Sequence, residues 1–308
     1  MYGFDTTTEM VLEGHDLSGR LAVITGASSG LGRETARALA THGAAVVLAG
    51  RDEQRLSAAA QELREQASGG EVSTCRLDLT SLTEIRAAAA ELRDRHSEID
   101  LLINNAGVMA CPLARTTDGF EMQFGTNHLG HFLFTTLLLD TLLASGSPRV
   151  VCLSSAGHRE SPILWDDPNF ERTEYDKWVA YGQSKTANAL FALELDRRYA
   201  PSGLHAFSVH PGVIMTPLAR HLGEDDLIWL SERAPEGGID FKSVEAGAAT
   251  TVWAATAREL DDHGGAYLED CGVAPLVTDP RVPSGVRDWA RDPEAARRLW
   301  ELSETLTA

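Results

Sequence analysis

Cysteine is scarce in this sequence: Cys75, Cys111, Cys152 and Cys271 lie far apart, form no Cys-x-x-Cys pair and have no histidines at zinc-ligand spacing. That excludes a disulfide framework and a structural zinc site, and the four read as reduced thiols of a cytoplasmic protein. Positive charge is also in deficit. With 27 Lys and Arg against 45 Asp and Glu, the net charge of −18 argues against nucleic acid and anionic membrane, leaving a small molecule as the expected partner. Long apolar runs are missing too: the most apolar window, residues 132–144, is interrupted by Asp140 and falls short of the ~20 residues that cross a bilayer. Residues 1–19 carry Asp5, Glu9 and Glu13 among few apolar side chains and lack the apolar centre of a signal peptide, so neither export nor a membrane anchor is expected.

What the sequence does have is alternation. Its 308 residues, 43% hydrophobic, suffice for one large core but not two. Short β-branched or Leu-rich runs at 21–25, 45–49, 72–78, 100–104, 149–154 and 204–210 are separated by helical stretches at 31–42, 52–66, 82–96, 117–143 and 178–199. That pattern predicts an α/β fold, a single domain built on a doubly wound parallel sheet. The domain is expected to span 19–274, with an extension at 1–18 and a helical extension at 275–308. Segments 157–177 and 217–242 fit no βα unit and emerge beyond the carboxyl ends of strands, where ligands bind in open sheets; they are the expected substrate walls.

Strand 21–25 runs directly into Gly26-Ala27-Ser28-Ser29-Gly30-Leu31-Gly32 and then a helix. Glycines therefore fall where backbone must approach a pyrophosphate that helix-start amides can hold. The spacing is Gly-x-x-x-Gly-x-Gly, and such a turn standing alone also reads as a structural tight turn. The second strand bears on the cofactor. An NAD site usually ends this strand with an acid that binds the ribose 2′-hydroxyl; here Gly50 stands there, followed by Arg51, whose guanidinium suits a 2′-phosphate. NADP(H) is favoured, with NAD(H) left open. Arg33 reads equally as a second cation for that phosphate or as a solvated helix residue.

Tyr181 and Lys185 are four apart in a helical pattern and so share one face. A cation beside a phenol should lower the tyrosine pKa toward neutrality, the range in which proton exchange with an alcohol or carbonyl is efficient. Alone, the pair is equally an ordinary surface pair. Ser154-Ser155 ends the preceding strand, where a hydroxyl can bond a substrate oxygen, and Asn127 could offer a carbonyl or water contact toward Lys185; serines also simply end strands, and asparagines simply pack.

Taken together, Thr25-Gly26-(three residues)-Gly30-Leu31-Gly32, Asn104-Asn105-Ala106-Gly107, Asn127, Ser155, Tyr181-x-x-x-Lys185 and His210-Pro211-Gly212 resemble the ordered motifs of short-chain dehydrogenases/reductases, from about Leu17 to Cys271. The resemblance implies a Rossmann fold and an NAD(P)-dependent oxidoreductase acting on CH–OH or C=O groups. By it, Tyr181 is the acid/base, Lys185 lowers its pKa and holds the nicotinamide ribose, Ser155 positions the substrate and Asn127 anchors a relay water. It further implies that Asp78 and Leu79 lie at the adenine, Asn105, Ala106 and Gly107 along the cofactor, and Pro211, Gly212, Val213 and Thr216 at the carboxamide.

A closer likeness is to the retinol-dehydrogenase-like branch, which includes the oxidoreductase domain of the WW-domain-containing oxidoreductase. Residues 14–19, 127–132, 208–212, 264–271 and 296–303 carry it. The WW modules and membrane anchor of that branch have no counterpart here, and a homodimer or homotetramer is compatible with the sequence without being indicated by it. Rival readings are a catalytically silent NADP(H) sensor or scaffold, which usually lacks the Tyr or Lys, a C=C reductase of the protochlorophyllide type, and a nucleotide-sugar epimerase or dehydratase. Ile163, Leu164, Trp165, Phe170 and Trp178 are expected either to wall an apolar substrate pocket or to pack their segment onto the sheet.

Overall fold

The computed structural model describes residues 2–232, 238, 240–279, 282 and 284–308. Its elements run α1 (Thr8–Leu12), β1 (Leu21–Thr25), α2 (Gly30–Thr41), β2 (Ala45–Gly50), α3 (Glu53–Arg64), β3 (Val72–Arg76), α4 (Leu82–Arg95), β4 (Leu101–Asn104), α5 (Met122–Phe124), a π-turn (Gly125–Leu129), α6 (Gly130–Leu137), α7 (Leu139–Leu143), β5 (Arg149–Leu153), α8 (Lys177–Tyr199), β6 (His205–His210), α9 (Glu224–Glu232), α10 (Val244–Thr256), β7 (Tyr267–Glu269), β8 (Gly272–Val273) and α11 (Pro293–Leu306). The sheet order is β3-β2-β1-β4-β5-β6-β7-β8, parallel except for the β7–β8 pair. This is a single Rossmann-like domain, with the chain reversing direction across the sheet between β1 and β4, where such sheets bind ligands.

The central strands are buried on both faces, which is why they read as nearly continuous apolar runs: Val23, Val47 and Leu102 face one core, and Ala22, Ile24, Val46 and Leu48 the other. Helix α8 is only weakly amphipathic because it is enclosed nearly all round, with 16 of its 23 residues, between Trp178 and Leu195, buried. Asp176 starts it by accepting the amides of Trp178 at 2.7 Å and Val179 at 3.0 Å. Helix α1 packs against α2 and α10, and Thr8 Oγ1 donates to Glu34 at 2.6 Å.

The expected continuous helix at 117–143 is corrected by the structure. Gly119 turns at φ +89°, Glu121 caps a helix that begins only at Met122, and the chain then widens into the π-turn. Packing sets these breaks. A Cβ on Gly125 would lie 2.5 Å from Thr116 Cγ2, and one on Gly130 would lie 2.7 Å from the Leu79 carbonyl. The short strands β7 and β8 are additions that six predicted strands do not include. Among the described residues, no helix is long and apolar enough to cross a membrane.

Helix α11 begins at the cap Asp292 with Pro293 in its first turn and presses Ala296, Leu299, Trp300 and Ser303 inward. Trp300 meets Phe132 edge-on at 5.0 Å between ring centroids, and Arg198 lies over its face at 4.4 Å. Truncating it opens a large void beneath α8. The Trp300→Ala variant should lose about 3–5 kcal/mol of unfolding free energy in urea titrations, the usual cost of deleting a core aromatic.

Candidate active site

The turn after β1 is shaped by its glycines. Gly26 and Gly30 adopt φ +68° and +54°, and a Cβ on Gly32 would lie 2.4 Å from Asn105 Nδ2 and 2.6 Å from the Gly26 carbonyl. Ser28 lies within the turn. Ser29 starts α2 in extended conformation with its hydroxyl making no cap bond, so the helix-start amides at Gly30, Leu31 and Gly32 are not closed off by that side chain. Asn105 Nδ2 donates to the Thr25 carbonyl at 2.8 Å, and Thr25 Oγ1 accepts the amides of Asn105 and Ala106, each at 2.9 Å.

Thr25 also reaches a group that sequence reasoning passed over. His131 Nε2 lies 2.9 Å from Thr25 Oγ1, and its Nδ1 lies 2.9 Å from the Asn127 carbonyl. A carbonyl can only accept, so Nδ1 carries the proton and Nε2 accepts from the threonine. Burial holds this imidazole neutral, with its pKa pushed down to about 4. The only sequence signal was its place in the Asn-His-Leu-Gly-His-Phe run.

Asn127 sits in the π-turn, a local widening that recurs at functional sites. Its side chain is fully engaged: Oδ1 accepts from Val108 N at 2.8 Å, and Nδ2 donates to Val108 O and Ser184 Oγ, each at 2.9 Å. A Cβ on Gly107 would lie 3.2 Å from that Oδ1 and 3.7 Å from Lys185 Nζ, so glycine keeps the space between the two open. Lys185 Nζ donates to the Leu153 carbonyl at 2.9 Å and lies 5.6 Å from the centre of the Tyr181 ring. Ser155 lies beside Tyr181 and favours its ionised form against the effect of burial, and its Oγ accepts Gly157 N at 3.1 Å. Any Cβ at Gly157 would lie 2.7 Å from Tyr181 Cε1.

One electrostatic expectation fails. Burial pushes Tyr181 up to about 12 with the Ser155 bond opposing it, while burial pushes Lys185 down to about 8. In a dry site desolvation is the largest influence on each group, so burial favours the protonated phenol rather than a pKa near neutrality.

Around this centre, Arg51 is exposed and makes no ion pair among the described residues. Arg33 is instead paired with Glu62. Asp78 accepts the amide and hydroxyl of Thr80 at 3.0 and 2.8 Å, with Leu79 buried beside Gly130. Across the groove, Pro211, Gly212 and Val213 leave β6 in a turn that returns to the glycine loop: a Cβ on Gly30 would lie 3.5 Å from Thr216 Cγ2.

Residues 20–227 match the family model described as short chain dehydrogenase. Human retinol dehydrogenase 13 is 42% identical over 291 residues, covering 94% of this chain and 85% of that protein. The chain belongs to the short-chain dehydrogenase family, in its retinol-dehydrogenase-like branch. A solved protein from Mycobacterium paratuberculosis is 39% identical, with a TM-score of 0.74 over 96% of both chains. A gluconate 5-dehydrogenase from Burkholderia cenocepacia, solved in complex with NADP and tartrate, is 26% identical with a TM-score of 0.65, over 82% of this chain and 94% of that one.

In this short-chain dehydrogenase the segment 157–177 is largely packed onto the fold. Ile163 and Trp165 pack with Ala296 and Leu299 of α11, and Leu164 N donates to Gln183 Oε1 at 2.9 Å, so these three fix segment 157–177 to the fold. Phe170, at φ +52°, turns onto Tyr175. Only Trp178 joins the Tyr181 cluster, stacked on Trp229 at 4.4 Å with Met109, Ala110, Leu222 and Leu230 around it. Of segment 217–242, residues 233–237 and 239 lie outside the described residues, as do 280, 281 and 283 of the C-terminal extension.

His131 is one of several buried histidines held neutral here. Burial lowers His128 and His210 to about 3 and His158 to about 4, and all regain an ordinary pKa near 6.5 on unfolding. Below pH 6.5 the unfolded chain therefore binds protons that the folded one refuses, and stability is lost as pH falls from 6.5 toward 4, by up to about 1.4 kcal/mol per pH unit for each group. The urea midpoint should drop steeply over that window. His128→Gln, which keeps a donor for Ser303 Oγ, should flatten the slope by about one proton.

Proposed function

We propose that this enzyme interconverts a carbonyl and its alcohol on an apolar small molecule, with NADP(H) as the preferred cofactor. The observation that carries the reading is the buried contact of Tyr181 with Ser155, next to Lys185, beside a groove whose glycine turn is held by the close packing of Gly26 and Gly32 on Asn105 and Ala106, with Gly107 leaving room by Asn127 and Lys185. That groove fits a dinucleotide, because backbone can approach the phosphates closely and the start of α2 offers its amides. Bound there, the nicotinamide would supply or accept the hydride.

In the reducing direction the Tyr181 phenol gives its proton to the carbonyl oxygen as the carbon gains the hydride. One C=O becomes one CH–OH, and a phenolate remains to be reprotonated. Ser155 Oγ donates to the same oxygen and so stabilises the charge that builds on it. The Lys185 ammonium lowers the cost of that transient phenolate. The side chain of Asn127 is occupied, but its main-chain carbonyl keeps a second lone pair beside the His131 bond, and we assign that lone pair to the water that returns a proton toward Lys185.

The apolar substrate is supported by Trp178, Trp229, Leu222 and Met109 around Tyr181 and by the name of the retinol dehydrogenase relative. Support for NADP(H) comes from Gly50 standing where an acid would hold a ribose hydroxyl, from Arg51, which makes no ion pair among the described residues, and from the NADP bound by the gluconate dehydrogenase neighbour.

Reduction of straight-chain aldehydes with NADPH tests the reading. Rates should rise with chain length, and Tyr181→Phe should lower kcat at least ~10²-fold while leaving NADPH binding nearly intact. Binding without turnover of any carbonyl would instead favour the sensor. For the cofactor, Arg51→Ala should weaken NADPH by about tenfold to a hundredfold and leave NADH almost unchanged, as measured by fluorescence titration.

A further inference from the structure

Lys242 is a buried cation that the chemistry above does not use. Only 1% of its side chain is exposed, and its ammonium is held by Asp270 Oδ1 at 2.5 Å, on a turn where Asp270 and Cys271 both have positive φ, 50° and 52°. The stem of Lys242 lies directly against Gly212: a Cβ there would come within 2.8 Å of Lys242 Cδ and 2.9 Å of Cε, and φ +93° at Gly212 turns the backbone to fit. Its own amide donates to the Val213 carbonyl at 2.9 Å. The ring of Phe4 covers the ammonium at 5.0 Å.

Side chain, main chain and charge thus converge on one turn. From Phe4 the chain continues into α1, where Thr8 and Glu9 bond Glu34 and Arg37 of α2, the helix that opens at the glycine loop. Residues 4–9 therefore connect the Lys242 contact to α2. On the opposite side of Gly212, His210 Nδ1 accepts the amides of Ala156 at 3.2 Å and Gly212 at 3.4 Å, which ties the turn to the residue following Ser155.

We propose that Lys242 is a positioning residue that sets the Pro211–Gly212–Val213 turn for the dinucleotide, and that the N-terminal residues act through it by way of Phe4. The proposal rests on the reading that this groove holds the cofactor. Lys242→Met keeps the stem against Gly212 and removes the anchor, and the half-exposed Asp270 that it abandons can be hydrated, so the variant should fold.

The test is NADPH titration by fluorescence on the full chain, with amide hydrogen exchange and Tm measured on the same samples. Lys242→Met should raise the NADPH Kd about tenfold, as expected if the competent turn falls to about a tenth of the population, with kcat at saturating cofactor changed less than about threefold. The Lys242 amide should exchange faster, while amides of the glycine loop do not. Lys242→Arg should restore part of the affinity. Phe4→Leu should weaken NADPH about threefold alone and add nothing in the Lys242→Met background. An unchanged Kd in a Lys242→Met protein of wild-type Tm would overturn the proposal and leave the cofactor reading standing. A wild-type chain that binds neither NADPH nor NADH would overturn both. Were Lys242→Met unable to fold, Asp270→Asn and Phe4→Leu carry the test, and an unchanged Kd in both sinks it.

Discussion

The imidazole of His131 can serve both of its neighbours only while it is neutral. With its proton on Nδ1 it donates to the Asn127 carbonyl, and its bare Nε2 accepts from Thr25. A second proton would force the Thr25 hydroxyl to accept a third hydrogen bond on top of the amides of Asn105 and Ala106, which its two lone pairs cannot do. That ring is the joint between the glycine loop and the π-turn. Through Thr25 it fixes the stretch Asn105–Ala106, and through Asn127 it fixes Val108, so the floor of the groove and the approach to Lys185 are one hydrogen-bonded unit.

Burial is what makes that unit rigid, and it also sets the chemistry. Tyr181 and Lys185 sit on a helix enclosed by β5, β6 and α11, where both charged forms are disfavoured. Their pKa values move apart, Tyr181 up to about 12 and Lys185 down to about 8, from ordinary values of 10.0 and 10.5. A phenol that keeps its proton until a substrate oxygen arrives is suited to giving that proton away, and an ammonium held near its own titration range can follow it. The Leu153 carbonyl keeps the ammonium in place through the exchange.

Much of this was legible in the sequence, for identifiable reasons. Strands buried on both faces leave apolar runs, and glycines forced by close backbone approach leave a fixed spacing. A helical interval of four residues puts Tyr181 and Lys185 on one face wherever the helix lies. What stayed hidden depended on partners remote in the chain. Whether Ile163 and Trp165 wall a pocket or pack their segment stayed open because α11, about which their segment says nothing, comes more than a hundred residues later. The π-turn was invisible because apolar periodicity runs unbroken through it, while the contacts that break the helix belong to Thr116 and Leu79. Arg33 stayed ambiguous until Glu62 was seen beside it. The tyrosine pKa was misjudged because spacing reveals a neighbouring charge but not the loss of water around it.

The same remoteness accounts for how the termini enter the site. A groove open enough to admit a dinucleotide cannot be stiffened from within, since its floor must remain glycine and its amides must remain free. Stiffness has to come from behind. Here His158 supplies it on one side, its Nδ1 lying 2.7 Å from the Ser155 carbonyl while its Nε2 accepts the amide of Arg287 at 3.1 Å and its carbonyl accepts Trp289 Nε1 at 3.1 Å. The C-terminal segment is thereby coupled to the serine turn, as the N-terminal segment is coupled to the turn after β6. Both couplings use buried polar groups whose partners are supplied by the chain ends. Such groups are costly when unpaired, so the site and the two ends should hold their order or lose it together.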